Sequence, residues 1–174
     1  SIDGEVFSAE SDERRFVLLR SFMRRLRKRK VHETAKVSDL RRALVAVRHL
    51  ATTQYVLASQ LGQKELGVFA YTIIRAILDL NEKRMHPTHT MNAGTLSDIL
   101  RAIATLEPLG LLERDQDLIN DIMDAAHGGC LHQTAQTPNL WHISHIMTSM
   151  ETLQVTNHPE IVRLVGEHLN ELTM

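Results

Sequence analysis

Aromatic residues make up only 4% of this 174-residue chain, and a single cysteine, Cys130, is present. A lone cysteine excludes an internal disulfide and suits a reducing compartment. No apolar run approaches the roughly 18 residues that a membrane-spanning helix needs, so no membrane span is expected. The chain has no glycine-rich phosphate loop, no nucleophile elbow and no paired-carboxylate pattern. Gly128-Gly129 follows a helical stretch and does not open one, so it reads as a stop signal. No catalytic residue, cofactor or small-molecule substrate is therefore assigned, and a non-enzymatic role is expected. The chain opens on Ser1 without a recognisable signal peptide, as a trimmed chain or one freed of a transit sequence would.

Leu, Ile, Ala and Met at helical spacing are abundant. The clearest pattern occurs twice. TLSDILRAIATL and DLINDIMDAA, within residues 95–126, match TPNLWHISHIMTSM and EIVRLVGEHLNEL, within 137–172. In the first helices Leu96 pairs with Leu140, Ile99 with Ile143, Ile103 with Met147 and Leu106 with Met150. Spacings of 3 and 4 put each set on one helical face. In the second helices Leu118 pairs with Ile161, Ile119 with Val162, Ile122 with Val165 and Met123 with Gly166. A weaker copy places Leu40, Ala43, Leu44, Val47 and Leu50 before a second helix near 66–80.

A hairpin of this size cannot bury its apolar face alone and must stack on neighbours. The expectation is an all-α fold of stacked antiparallel helical hairpins, a short α-solenoid of about seven to eight helices. An irregular helical bundle is the alternative. The expected layout is a flexible lead-in over 1–10 and one domain over 11–174. The domain holds a basic helix at 11–30 and hairpins at 37–80, 93–127 and 137–172, with a piece of a longer array as the alternative. Pro87 marks a linker between Asn81 and Asn92, and Pro108-Leu109-Gly110 marks a turn. Thr95, with Asp98 three residues later, suggests a capping box, Asp115 starts the next helix, and Thr137-Pro138 and Pro159 open the last two.

The net charge of −1 conceals an asymmetry. Residues 14–30 hold nine Lys/Arg and no acid, whereas 90–174 hold three Arg against eleven Asp/Glu. Arg20, Arg24, Arg25, Arg27, Lys28, Arg29 and Lys30 flank an apolar stripe of Phe16, Leu19, Phe22, Met23 and Leu26, and Arg41, Arg42 and Arg48 extend the positive charge onto the first hairpin. Such a helix reads as a solvated outer face, a phosphate-contacting surface, a dock for an acidic protein or a membrane-surface helix. These ten residues are the candidate RNA or polyanion contacts. The two tyrosines are not interleaved with the basic run, so no stacking platform is evident and contacts to the backbone, or to bases through polar side chains of the first helices, are expected.

His86-x-x-His89 and His127-x-x-Cys130, with His132 nearby, have spacings compatible with a metal site; turn and surface histidines are the plainer reading, and no metal is assigned. His142 and His145 share a face with Trp141, placed for either a ligand or packing. Asp117, Asp121 and Asp124 form an acidic stripe, which suits solvent better than a divalent cation.

LSDILRAIATL, and more loosely LWHISHIMTSM, resemble the octotricopeptide and heptatricopeptide-like helical repeats of organellar RNA-handling proteins, including those with FASTK and RAP domains. Leu96, Ile99, Leu100, Ala102, Ile103 and Leu106 carry the likeness, and the period here is longer. The resemblance implies RNA binding, or assembly with other protein subunits into an RNA-processing or ribonucleoprotein complex, in a mitochondrion. A purely structural subunit without RNA contact is the other expectation.

Overall fold

The computed structural model describes the backbone of residues 2–28, 35–130 and 139–174, and the side chains of these residues from Glu10 onward except those of 129 and 130. Eight α-helices and no strand occur among the described residues. They are α1 (Ile2–Lys28), α2 (Val37–Ala51), a single turn α3 (Gln54–Leu57), α4 (Gln60–Lys83), α5 (Ala93–Leu106), α6 (Gln116–Ala125), α7 (Leu140–Thr152) and α8 (Pro159–Thr173). A 3₁₀ turn, Pro87–His89, precedes α5, and a π-helical turn, Ala126–Cys130, extends α6.

Short polar side chains start four of these helices by accepting the orphan N–H three residues on. Ser59 Oγ accepts from Gly62 N at 3.1 Å, Asp115 Oδ1 from Leu118 N at 3.0 Å and Asn139 Oδ1 from His142 N at 2.9 Å. Pro159 opens α8 as expected. The cap of α5 is Asn92, not Thr95. Asn92 Oδ1 accepts from Thr95 N at 2.9 Å, and Thr95 sits at the third helical position of a capping box. Thr137 and Pro138 lie outside the described residues, and Asn139 holds the cap position of α7.

Other boundaries also move. The helix of the basic run reaches back to Ile2, so the expected flexible lead-in is helical. The helix placed near 66–80 starts six residues earlier, because Ser59 caps it. The linker begins only after Lys83, where Arg84 takes a left-handed conformation at φ 43°. Asn81 is buried in the last turns of α4, and its Oδ1 accepts from Met91 N at 3.0 Å, tying the linker down.

The first helices α2, α5 and α7 stack side by side, with α5 in the middle packed on both neighbours. α4 packs under α2, α6 contacts α4, and α8 packs on α7, which gives two layers of helices. α1 covers the first end of the row through Phe16, Leu19, Met23 and Leu26, against α2 and α3. One continuous cluster of buried apolar side chains runs through the stack.

The two matched hairpins share their inner positions. Ile99 and Ile143, Leu106 and Met150, Leu118 and Ile161, and Ile122 and Val165 are all buried. At the other paired positions the copies diverge: Leu96, Ile103 and Ile119 are buried, whereas Leu140, Met147 and Val162 are 48%, 42% and 54% exposed. Among the described residues α5 packs on both α2 and α7, whereas α7 packs on α5 and α8.

Candidate functional site

Stacking three first helices side by side aligns one face of each along a common groove. Its volume is about 790 Å³. α2 contributes Arg42, Val45, Ala46 and His49, with Arg48 at its flank and Thr52 just past its end; α5 contributes Arg101, Ala104 and Thr105; α7 contributes His145, Thr148, Ser149 and Thr152. Within each helix the spacings are 3 and 4, so each set is a stripe along one face. Superposing the repeats puts Arg101 with His145, Ala104 with Thr148 and Thr105 with Ser149. Arg15 closes the groove from α1.

Four arginines, two histidines and several hydroxyls thus meet on one surface, and among the described residues no carboxylate lines it. Arg15 is partly satisfied by Asp12 Oδ1 at 3.1 Å, and its Nη1 lies 2.9 Å from His49 Nε2. Arg42 is exposed and has no ion pair among the described residues. Arg48 Nη1 is buried with no hydrogen-bond partner. Burial, and then the neighbouring Arg101, push the Arg48 guanidinium below its ordinary pKa, with Asp98 opposing. An arginine stays charged despite this, so Arg48 is a cation short of a partner. Leaving a buried donor unmade costs more than a typical hydrogen bond returns, and a bound oxyanion would supply what is missing.

Trp141 stands at the α5–α7 edge, 52% exposed. The Arg101 guanidinium carbon lies 4.9 Å from its ring centroid, and the His145 ring meets it edge-on at 4.2 Å. Cation–π contact orients Arg101 toward the groove while the indole keeps half of its surface in water.

The expected contact residues divide. Arg42 and Arg48 lie in the groove. Arg41, expected beside them, is turned away: its Nε donates to Asp98 Oδ2, whose side chain is only 7% exposed. The fit depends on Gly94, where a Cβ would stand 2.8 Å from Arg41 Nη2. Arg20 is also engaged, donating to Glu65 at 2.7 and 3.1 Å and lying 4.4 Å over the Phe16 ring. Arg24 and Arg27 are exposed beside Arg20, Lys64 and Glu65 in a separate depression of about 500 Å³. Arg25 and Lys28 are exposed on α1, and Arg29 and Lys30 lie outside the described residues. Arg15 and Arg101 are groove residues that the sequence reading did not single out.

His86 serves its own turn: its Nδ1 accepts from Thr88 N at 3.2 Å and caps the Pro87–His89 segment, with the His89 ring 5.9 Å away. His127 and Cys130 fall in the π-helical turn after α6, far along the chain from that pair, and His132 lies outside the described residues. Among the described residues no three His, Cys, Asp or Glu side chains are arranged to hold a metal ion. No described helix is long and apolar enough to cross a membrane.

Compared with known protein families, curated proteins and solved structures, the chain shows no significant match.

Burial first, then Arg101 and Arg48, lower the His145 pKa; burial and then Arg41 lower that of His142. Both rings therefore take up a proton less readily than an ordinary histidine, which charges near about 6.5. An oxyanion in the groove favours the imidazolium, so binding takes up protons as pH falls toward 6. Affinity for a polyanion is expected to rise between pH 8 and pH 6 at constant ionic strength, and His145→Ala to flatten that rise. An unaltered rise in the variant would place His145 outside the contact surface. Folding responds in the opposite sense: the unfolded rings charge first, so their contribution to stability falls as pH drops through about 6.5.

Proposed function

We propose that this chain is a non-catalytic helical-repeat protein that binds single-stranded RNA in the groove across α2, α5 and α7. The observation that carries the reading is four arginines converging on one surface that no described carboxylate lines, in a chain whose net charge is −1. A phosphate backbone laid across three first helices matches that charge, and counterion release gives the binding energy. Trp141 adds an exposed π-face beside Arg101, which suits a splayed base and favours a single strand over a duplex. Assembly into a ribonucleoprotein complex follows the same reading, and a mitochondrial setting rests on the repeat resemblance alone. A scaffold role without RNA is the second reading, favoured by the uncovered apolar positions of the last hairpin.

Anisotropy titrations of a labelled single-stranded RNA, over a series of salt concentrations, test this. Arg42→Glu with Arg101→Glu is expected to weaken binding at least 100-fold and to reduce the logarithmic salt slope by roughly 1.4, at about 0.7 per single-strand phosphate contact. Arg25→Glu with Lys28→Glu is expected to change it much less. As Trp141 is the sole tryptophan, its fluorescence should be quenched by RNA and not by inorganic polyphosphate. Loss of binding only in the α1 variant would move the site to the basic helix. No RNA binding by the unaltered chain would leave the scaffold reading.

A further inference from the structure

The positive charge of the groove is gathered at one corner, where three helices each bring a nitrogen-bearing side chain. Arg48 of α2 and Arg101 of α5 lie near enough for their charges to oppose each other, and His145 of α7 is close to both. Asp98, the acid that acts on Arg48 and His145, is bound to Arg41 and does not line the groove. Arg48 is half-buried, and its Nη1 is out of contact with water and without a hydrogen-bond partner, an unmade donor on a permanent cation. Arg101 is steadied by the Trp141 ring, 4.9 Å from its guanidinium carbon, which orients the charge without neutralising it. Ser149, 5% exposed and one turn beyond His145 on the same face of α7, adds a hydroxyl to the groove wall.

The charge at this corner selects among the phosphates of a strand. A phosphodiester within the chain brings a single negative charge. A phosphate monoester at a strand end brings about 1.5 to 2 negative charges near pH 7 and three strong acceptor oxygens. Two crowded guanidiniums match the monoester better, since each planar fork pairs with phosphate oxygens and a dianion neutralises both. The His145 imidazole has an N–H to give a remaining oxygen. Trp141, 52% exposed beside Arg101, offers its indole to the base of the same nucleotide.

We propose that the Arg48–Arg101–His145 corner holds the terminal phosphate monoester of a bound strand, with Trp141 against the base that carries it. The groove then takes RNA from an end. This rests on the RNA reading of the groove and adds the part of the strand that anchors there. Trp141 lies to one side of the phosphate seat, so one strand polarity fits and the other does not.

Anisotropy titrations of one single-stranded RNA, labelled at an internal base, test this at a fixed salt concentration. Three forms are compared: a 5′-phosphate, a 3′-phosphate, and hydroxyls at both ends. One phosphorylated form is expected to bind at least about tenfold tighter than the hydroxyl form, the scale of a hydrogen bond to a charged group, and the other less than about twofold tighter. The preferred form identifies the end that supplies the monoester. Arg48→Gln and, separately, Arg101→Gln should bring the three forms to one affinity, with circular dichroism checking that each variant folds. Arg42→Gln should weaken all three and keep the preference. Equal affinity of the unaltered chain for the three forms would overturn the proposal and leave the RNA reading standing. Equal tightening by both phosphates, which added charge alone gives, would overturn it too, as would a preference that survives in both the Arg48 and Arg101 variants. Failure of every form to bind would remove the RNA reading itself, and this proposal with it.

Discussion

Replacing Gly67 with alanine is expected to destabilise the fold by about 2–3 kcal/mol, although Gly67 sits inside helix α4 and alanine is the better helix former by about 1 kcal/mol. The reason is a backbone-to-backbone approach. A Cβ at Gly67 would stand 2.0 Å from the carbonyl oxygen of Leu111 and 3.2 Å from its carbonyl carbon. That carbonyl cannot retreat freely. α5 ends in a turn where Gly110 adopts φ 70°, Gly110 N donates to Glu107 O, and Leu111 N reaches back to Leu106 O at 3.0 Å. The turn drives the buried Leu111 side chain onto the stack, so the loop and α4 would have to part by an ångström or more. Overpacking costs of roughly 1–3 kcal/mol, occasionally more, outweigh the propensity gain. At about 2–4 °C per kcal/mol, the melting temperature should fall by roughly 5–10 °C. Gly166 is the internal control. It lies within α8 with open space around it, so Gly166→Ala should be neutral or stabilising by up to about 1 kcal/mol. Equal melting curves for Gly67→Ala and the unaltered chain would show that the α4–Leu111 contact is not a tight one.

Helices and their buried faces were legible because a 3.6-residue period is a local property, printed in the chain by Leu40, Leu44, Val47, Ile99 and Ile143 alike. The stacking of hairpins was legible in the repeat. What the repeat could not reveal is which of its positions a neighbour covers: Met147 and Val162 match buried positions in sequence and are exposed in space, since exposure depends on a neighbour and not on the residue itself. The charge reading went astray for the same reason. Arg20 and Arg41 looked free because their partners, Glu65 and Asp98, are 45 and 57 residues away. Asp98 was read as a capping residue from local spacing, and its actual role is tertiary. Arg101 was overlooked because it stands in the acidic half of the chain, yet its repeat position, shared with His145, faces the groove. A count by segment hides that placement, and a count by repeat position would have found it.

The positive groove is thus built by subtraction as much as by addition. α1 supplies most of the basic run, but its cations are spread around an amphipathic helix. Near the groove, acids are few and committed: Asp12 to Arg15, and Asp98 to Arg41. Among the described residues Arg42, Arg48 and Arg101 have no carboxylate partner, on a surface where three helices present the same face. The sparing of charges there, more than their number, distinguishes this groove from the solvated side of α1.

Asp98 is where fold and groove meet, and Asp98→Asn is expected to move stability and binding in opposite directions. Its carboxylate accepts from Arg41 inside the α2–α5 contact and is a negative charge acting on Arg48, His142 and His145 alike. Removing one partner of a fully buried ion pair costs roughly 3–5 kcal/mol; Arg41 retains 31% exposure, which lowers the expectation to about 2 kcal/mol. The melting temperature should fall accordingly. The same change leaves Arg41 unpaired and removes the counter-charge from Arg48, so the groove gains one unit of positive potential. RNA affinity should rise several-fold at low salt and converge with that of the unaltered chain at high salt. Saturating RNA stabilises the folded form by mass action, so it should raise the melting temperature of Asp98→Asn more than that of the unaltered chain. Calorimetric melts with and without RNA read both effects at once. Weaker RNA binding by Asp98→Asn at an intact fold would mean that the carboxylate positions Arg41 for RNA instead of withholding it, and Arg41 would then belong in the groove after all.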